Sequence, residues 1–216
     1  FDNFFPLSAT AFFVNNATSL GYSFDGGIIW AEASNNSTFA GMDLVFTSPS
    51  TGYITSTSGL QRTTDTGKTW KNVLPKYTNG IWLFNTGKGI CYTTDSFKTT
   101  TDGINWAQGY NLSLGNPVQT FYTMFFSDNN HGWICAMEKI GKTADGGVNW
   151  TTQVRPHQAV DIQFINNLTG FYCSPDEIYK TTDGGNTWTR ICKIADKRIL
   201  EIFFLDENTG WACGLD

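Results

Sequence analysis

The chain has 216 residues, of which 15% are charged and 15% aromatic, with 22 glycines and a formal net charge of −5. No run of Lys and Arg offers the basic face that nucleic acid or an anionic membrane surface demands, and no stretch of about 18 apolar residues could span a bilayer. This length suits one large all-β domain over residues 1–216, and the abundance of Gly, Thr, Asn and aromatics predicts many short strands joined by tight turns.

Taken in chain order, one short unit keeps returning. It reads Ser23-Phe-Asp25-Gly-Gly27-Ile-Ile-Trp30, then Thr63-Thr-Asp65-Thr-Gly67-Lys-Thr-Trp70. A copy one residue short follows, Thr100-Thr-Asp102-Gly-Ile-Asn-Trp106. Two full copies complete the series, Thr143-Ala-Asp145-Gly-Gly147-Val-Asn-Trp150 and Thr181-Thr-Asp183-Gly-Gly185-Asn-Thr-Trp188. Successive aspartates are 40, 37, 43 and 38 residues apart. That period is too short for a domain and right for a four-stranded propeller blade. The Asp carboxylate is expected to accept backbone N–H groups across a hairpin, Gly to supply positive φ, and Trp to pack the turn onto the sheet.

A second element precedes each box: a Phe, then six positions later Gly and an aromatic. Phe46 goes with Gly52-Tyr53, Phe126 with Gly132-Trp133, Phe164 with Gly170-Phe171 and Phe204 with Gly210-Trp211. Phe5 to Ala11-Phe12 is a weaker copy, and the third repeat reads as shortened, from Phe84 to Gly87 or Gly89. Apolar alternation such as Leu44/Phe46 and Ile162/Phe164 marks the strand that ends at the Phe. The predicted blades run about 1–38, 39–76, 77–115, 116–156 and 157–196, with 197–216 giving two strands of a sixth. The expected fold is therefore an all-β propeller of antiparallel blades, five complete and one half, within a ring of six to eight. The sequence opens on Phe1, which suggests a removed signal peptide or a piece of something longer. The half blade suggests further blades or a sorting domain beyond Asp216.

These repeats resemble the BNR/Asp-box superfamily over essentially the whole chain. Lys180-Thr-Thr-Asp183-Gly-Gly-Asn-Thr-Trp188, preceded by Phe-x-x-x-x-x-Gly-aromatic-x-Cys, is most similar to the photosystem II assembly factor (Ycf48/HCF136-like) branch. The resemblance implies the propeller fold, and a bacterial protein that is secreted or held at the cell envelope or surface. The superfamily also includes sialidases and xyloglucanases, so it leaves activity open.

Several groups could carry function. Three residues before each marker Phe stand Asp2, Asp43, Ile81, Thr123, Asp161 and Glu201. Four acids at one equivalent place on the innermost strand could ring a channel mouth and bind a cation, a basic side chain or an amine. The competing reading is that each caps backbone N–H groups where strands enter the sheet. Trp82 and the run Phe121, Tyr122, Phe125, Phe126 could stack on a sugar or anchor a peptide, or else fill the gaps between blades.

Enzymatic signatures are thin. A sialidase needs three converging arginines, and the four here (Arg62, Arg155, Arg190, Arg198) lack the family's Arg-Ile-Pro element. The box acids Asp25, Asp65, Asp102, Asp145 and Asp183, with Trp30, Trp70, Trp106, Trp150 and Trp188, read as structural. A glycosidase would need two other carboxylates across a cleft. His131 and His157 belong to no metal-binding motif, and no cofactor is expected. Of five cysteines, Cys91, Cys135, Cys173 and Cys213 fall in the same part of successive repeats and are expected to be buried thiols. Six Asn-x-Ser/Thr sequons, at Asn16, Asn35, Asn36, Asn111, Asn149 and Asn167, would matter only in a eukaryotic secretory route. The expected role is a non-enzymatic binding or scaffold propeller for a protein or glycan partner. A glycan-active enzyme is the alternative.

Overall fold

A computed structural model describes residues 3–15, 19–33, 43–84, 87–93, 96–109, 121–136, 139–154, 158–194 and 197–215. Five sheets have four strands each. They are β1(Asn3–Pro6), β2(Phe12–Asn15), β3(Leu20–Ser23) and β4(Ala31–Glu32); β5(Leu44–Phe46), β6(Gly52–Ser56), β7(Gly59–Thr63) and β8(Lys71–Leu74); and β9(Thr78–Leu83), β10(Gly89–Thr93), β11(Phe97–Thr100) and β12(Ala107–Gln108). Then come β13(Phe121–Phe126), β14(Gly132–Ala136), β15(Lys139–Thr143) and β16(Thr151–Val154), and β17(Asp161–Phe164), β18(Gly170–Cys173), β19(Glu177–Thr181) and β20(Thr189–Lys193). A final pair, β21(Arg198–Phe204) and β22(Gly210–Leu215), forms a two-stranded sheet. Within each sheet the strands follow in chain order and the pairing is antiparallel, as five blades and a half require. The chain divides into two compact units, Phe1–Gln108 with the first three blades and Gly109–Asp216 with the rest.

In the first unit, Phe13, Leu20, Ile54 and Trp70 form one core cluster, and Tyr53, Leu60, Ile81 and Cys91 a second. In the second unit, Tyr172 packs back onto Trp133 and Cys135 of the fourth blade, whereas Phe171 and Cys173 pack forward onto Ile199 and Ile202. Successive residues of β18 thus point to opposite sides, and both sides are covered. This is why the second strands β6, β10, β14 and β18 are rich in apolar residues on both faces and are buried at every position. The fourth strands lie at the solvent side, and β20 is exposed throughout.

The marker Phe works with the Gly it pairs to. Phe46, Phe126, Phe164 and Phe204 pair directly with Gly52, Gly132, Gly170 and Gly210. A Cβ on Gly132 or Gly170 would come within 2.4 or 2.5 Å of the ring, so only glycine leaves room. The neighbouring strand-two aromatic then lies against the next blade's marker. Trp133 stacks on Phe164 at 3.4 Å between centroids, Phe171 on Phe204 at 3.6 Å, and Phe13 meets Phe46 at 5.1 Å.

The register corrects the sequence alignment in two blades. Leu83, not Phe84, pairs with Gly89 and holds the marker's place, so the third repeat is not shortened there. Its Gly80, not Ile81, is then the residue three before the marker. In the first blade Pro6 pairs with Phe12, so the marker is Pro6 and the strand-two aromatic is Phe13. Both slips arose because an aromatic neighbour masqueraded as the marker where Pro or Leu had replaced Phe. Cys91 likewise sits opposite Ile81, one step off the Cys135, Cys173 and Cys213 position. Cys91, Cys135 and Cys173 are buried free thiols, but Cys192 and Cys213 are exposed.

Candidate functional site

The five box acids are satisfied by their own turns. In the last box Asp183 accepts the Thr181 hydroxyl at 2.8 Å, the Thr187 amide at 2.8 Å and the Thr187 hydroxyl at 2.6 Å. These bonds, the Thr187 hydroxyl first, hold its carboxyl down to about 2. Asp25, Asp65, Asp102 and Asp145 accept equivalent bonds. The indole N–H of Trp30, Trp70, Trp150 and Trp188 donates to the carbonyl of Gly27, Gly67, Gly147 and Gly185 respectively. Trp106, in the short box, has a buried Nε1 without an acceptor among the described residues. Where a full box has two left-handed residues, the second box puts Thr66 at φ 64°, the non-glycine exception among the described residues.

Two of the inner-strand acids, Asp43 and Asp161, face neighbouring blades. Asp43 Oδ2 accepts the Ile81 amide of the next blade at 3.1 Å. Asp161 Oδ2 accepts the Ile202 amide of β21 at 3.0 Å, and its Oδ1 accepts the Ile162 amide at 2.9 Å. The two bonds to the next blade are equivalent, since Ile81 and Ile202 both stand two residues before a marker. Burial pushes the Asp43 carboxyl up to about 6, against the Ile81 bond. Burial also raises Asp161, helped by the nearby negative charge of Glu201. Two of the four predicted acids, Asp161 and Glu201, therefore come together in the second unit. Glu201 is exposed and takes a weak bond from the Cys213 thiol at 3.8 Å. Asp2 lies outside the described residues, and the β1 register gives the equivalent place to Asn3 instead. The geometry at Asp43 and Asp161 is the backbone-capping arrangement, extended from one blade to the next.

The remaining sequence candidates are engaged in packing and turns. Phe121 and Phe126 are buried, and Tyr122 and Phe125 pack against the cluster of Trp133 and Phe164. Trp82 is half-buried on β9, opposite Ile90. His131 sits in a turn with its Nδ1 2.8 Å from Asp128, which also accepts Asn167 Nδ2. His157 and Arg155 lie outside the described residues. Among the described residues no group of three or more His, Cys, Asp and Glu could hold a metal ion.

One cluster escaped the sequence reading. Glu177, 3% exposed, accepts the Tyr179 hydroxyl and lies 2.6 Å from Arg190 Nη1 and 3.6 Å from Lys193. Its signal was the strand alternation that puts Glu177 and Tyr179 on one face, with Arg190 opposite Tyr179. Tyr179 and Arg190 hold Glu177 down to about 2, whereas burial and then Glu177 push Tyr179 up to about 12. A Tyr–Glu nucleophile pair needs the opposite, an easily ionised phenol and a base free to take its proton.

No family model and no curated protein matches the chain. Solved structures do, at low identity. A structure of Ycf48 bound to D1 peptide is 16% identical with a TM-score of 0.74, over 95% of this chain and 72% of that one. The GH74 xyloglucanase from Xanthomonas campestris is 15% identical with a TM-score of 0.70, over 90% of this chain and 38% of the enzyme. The extracellular domain of a one-component system from B. thetaiotaomicron is 10% identical with a TM-score of 0.75, over 97% and 33% of the two chains. The chain thus spans little more than a third of the enzyme and a third of the sensor. At such identities the likeness establishes the fold: this is an all-β chain of propeller blades that resembles Ycf48.

Proposed function

We propose that this chain is a non-enzymatic binding or scaffold propeller, exported or displayed at the cell surface, which presents its turns and inter-blade loops to a protein or glycan. The observation that carries the reading is the use of its acids. The box acids close hairpins, Asp43 and Asp161 fasten one blade to the next, and Glu177 is held as an ion by Arg190. Acids committed in this way are scaffold. Binding of a peptide by Ycf48, and the extracellular setting of the B. thetaiotaomicron sensor, support extending the role to recognition.

The likeness to GH74 enzymes favours a second reading, a glycoside hydrolase. One experiment separates them: the protein is applied to glycan and peptide arrays, and the bound glycans are then assayed for reducing-end release. Saturable binding without turnover is expected, and hydrolysis that scales with protein concentration would replace the first reading by the second.

A further inference from the structure

The turns between first and second strands follow one plan, and the fifth blade departs from it. The second residue after the marker caps the turn. Asn166 Oδ1 accepts the Leu168 and Thr169 amides at 2.9 and 2.7 Å, as Asp128 Oδ1 accepts those of Asn130 and His131 and Ser48 Oγ that of Thr51. The fourth residue after the marker gives its carbonyl to the box of its own blade, Leu168 to Gly184 as Asn130 to Gly146 and Ser50 to Thr66. Sister turns carry Thr10, Ser50, Asn130 and Asn208 at that position, whereas the fifth blade carries Leu168, which is 60% exposed. Ser50 and Asn130 are exposed although a complete blade follows each within its own unit, so the exposure belongs to the turn.

Leu168 lines a concavity of about 680 Å³ with Ser127, Asn166, Asn167, Thr169 and Thr182. That volume lies within the range of about 300–1,000 Å³ common to small-molecule sites. Ser127 belongs to the turn of the fourth blade and Thr182 to the box of the fifth, so two complete blades form it. Asn167 joins them: its Oδ1 accepts the Ser127 hydroxyl at 2.7 Å, and its Nδ2 donates to Asp128 Oδ2 at 2.8 Å. The wall is thereby fixed before a ligand arrives. Among the described residues, Asn166 Nδ2 and the hydroxyls of Thr169 and Thr182 have no hydrogen-bond partner. No lining residue is charged or aromatic.

We propose that this concavity binds a neutral pyranose unit of a glycan. The aliphatic Leu168 side chain lies against the C–H face of the sugar, and the Asn166 amide and the two Thr hydroxyls bond to its hydroxyl groups. An amide NH₂ donates twice and a Thr hydroxyl both donates and accepts, which suits ring hydroxyls that do both. An anion would require a cation in the lining, and an apolar peptide anchor would require a dry pocket without free donors. The inference rests on the recognition role proposed above and names a glycan as the ligand of this face.

The test titrates the isotopically labelled full chain with the methyl α- and β-pyranosides of glucose, galactose and mannose, and follows backbone amide shifts. Saturable shifts are expected with at least one of them, at a dissociation constant on the order of a millimolar, confined to Ser127, residues 166–169 and Thr182. Leu168→Asn and Asn166→Ser each install a residue that a sister turn already carries, Asn130 and Ser48, so the turn is kept. The first is expected to weaken binding about tenfold and the second about fivefold. No saturable shift with any of these glycosides, or shifts confined to other residues, would overturn the site on the wild-type chain alone, and so would unchanged affinity in both variants. Array-bound glycan without shifts here would remove this site and leave the recognition role standing. Shifts here accompanied by turnover would keep the site and remove the non-enzymatic role.

Discussion

Asp43→Asn gives the sharpest check on the inter-blade fastening. The native carboxyl is pushed by burial from 3.8 to about 6, while the unfolded chain keeps the ordinary value. Between those pH values the native state binds a proton that the unfolded state has released, so stability falls as pH rises through the window. A gap of roughly two pH units, at about 1.4 kcal/mol each, costs the ionised native state about 3 kcal/mol above pH 6. Asparagine keeps a carbonyl oxygen for the Ile81 amide and carries no charge. The variant is therefore expected to match the wild type near pH 4 and to exceed it by up to about 3 kcal/mol at pH 8. Urea denaturation of both proteins at unit steps from pH 4 to pH 8 measures the difference, and every other titrating group cancels from it. A stability difference that does not change with pH would refute the reasoning, since it would mean that Asp43 is no harder to ionise in the folded chain than in the unfolded one.

Thr66→Gly relieves a β-branched residue held at φ 64° and is expected to raise stability by about 1 kcal/mol, read as an increased Tm. Trp70→Phe loses the bond to the Gly67 carbonyl and is expected to cost about 1–2 kcal/mol, whereas Trp106→Phe removes a buried N–H without an acceptor and is expected to be nearly neutral; paired denaturant titrations compare them. Gly170→Ala drives a methyl into the Phe164 ring and is expected to cost about 2–3 kcal/mol. Adding Phe164→Leu is expected to recover little of that loss, because Leu83 Cδ2 likewise lies within 2.5 Å of where a Cβ on Gly89 would stand, and a double-mutant cycle measures the coupling.

The inter-blade contacts share one logic across both units. A second-strand aromatic of one blade lies on the marker of the next, and a glycine of the next blade's box can close over it. Gly67 sits against the Phe13 ring, Gly103 against the Tyr53 hydroxyl and Gly185 beside the Trp133 indole. Trp133 Nε1 also donates to the Gly184 carbonyl at 3.2 Å. The box is thus both a hairpin within its blade and a lid on the preceding one. That double duty is seen at Trp70, whose box is seated on Phe13 and which is 5% exposed.

The sequence by itself determined the repeat, the five boxes, the four strands per blade and the final pair of strands, because those depend on local chemistry. A carboxylate two residues after Ser or Thr, followed by Gly and Trp, closes the same turn wherever it occurs. Apolar alternation marked the strand that ends at the Phe, and the Gly-aromatic pair marked the strand after it. The sequence could not place the markers in the first and third blades, where Pro6 and Leu83 stand beside the more conspicuous Phe5 and Phe84. Only cross-strand pairing reveals which residue meets the glycine. Nor could it choose between two roles for the inner-strand acids, since a carboxylate that faces a channel and one that caps a backbone have the same spacing. The tertiary structure decided that for Asp43 and Asp161 by bringing the Ile81 and Ile202 amides, 38 and 41 residues away, to within 3.1 and 3.0 Å.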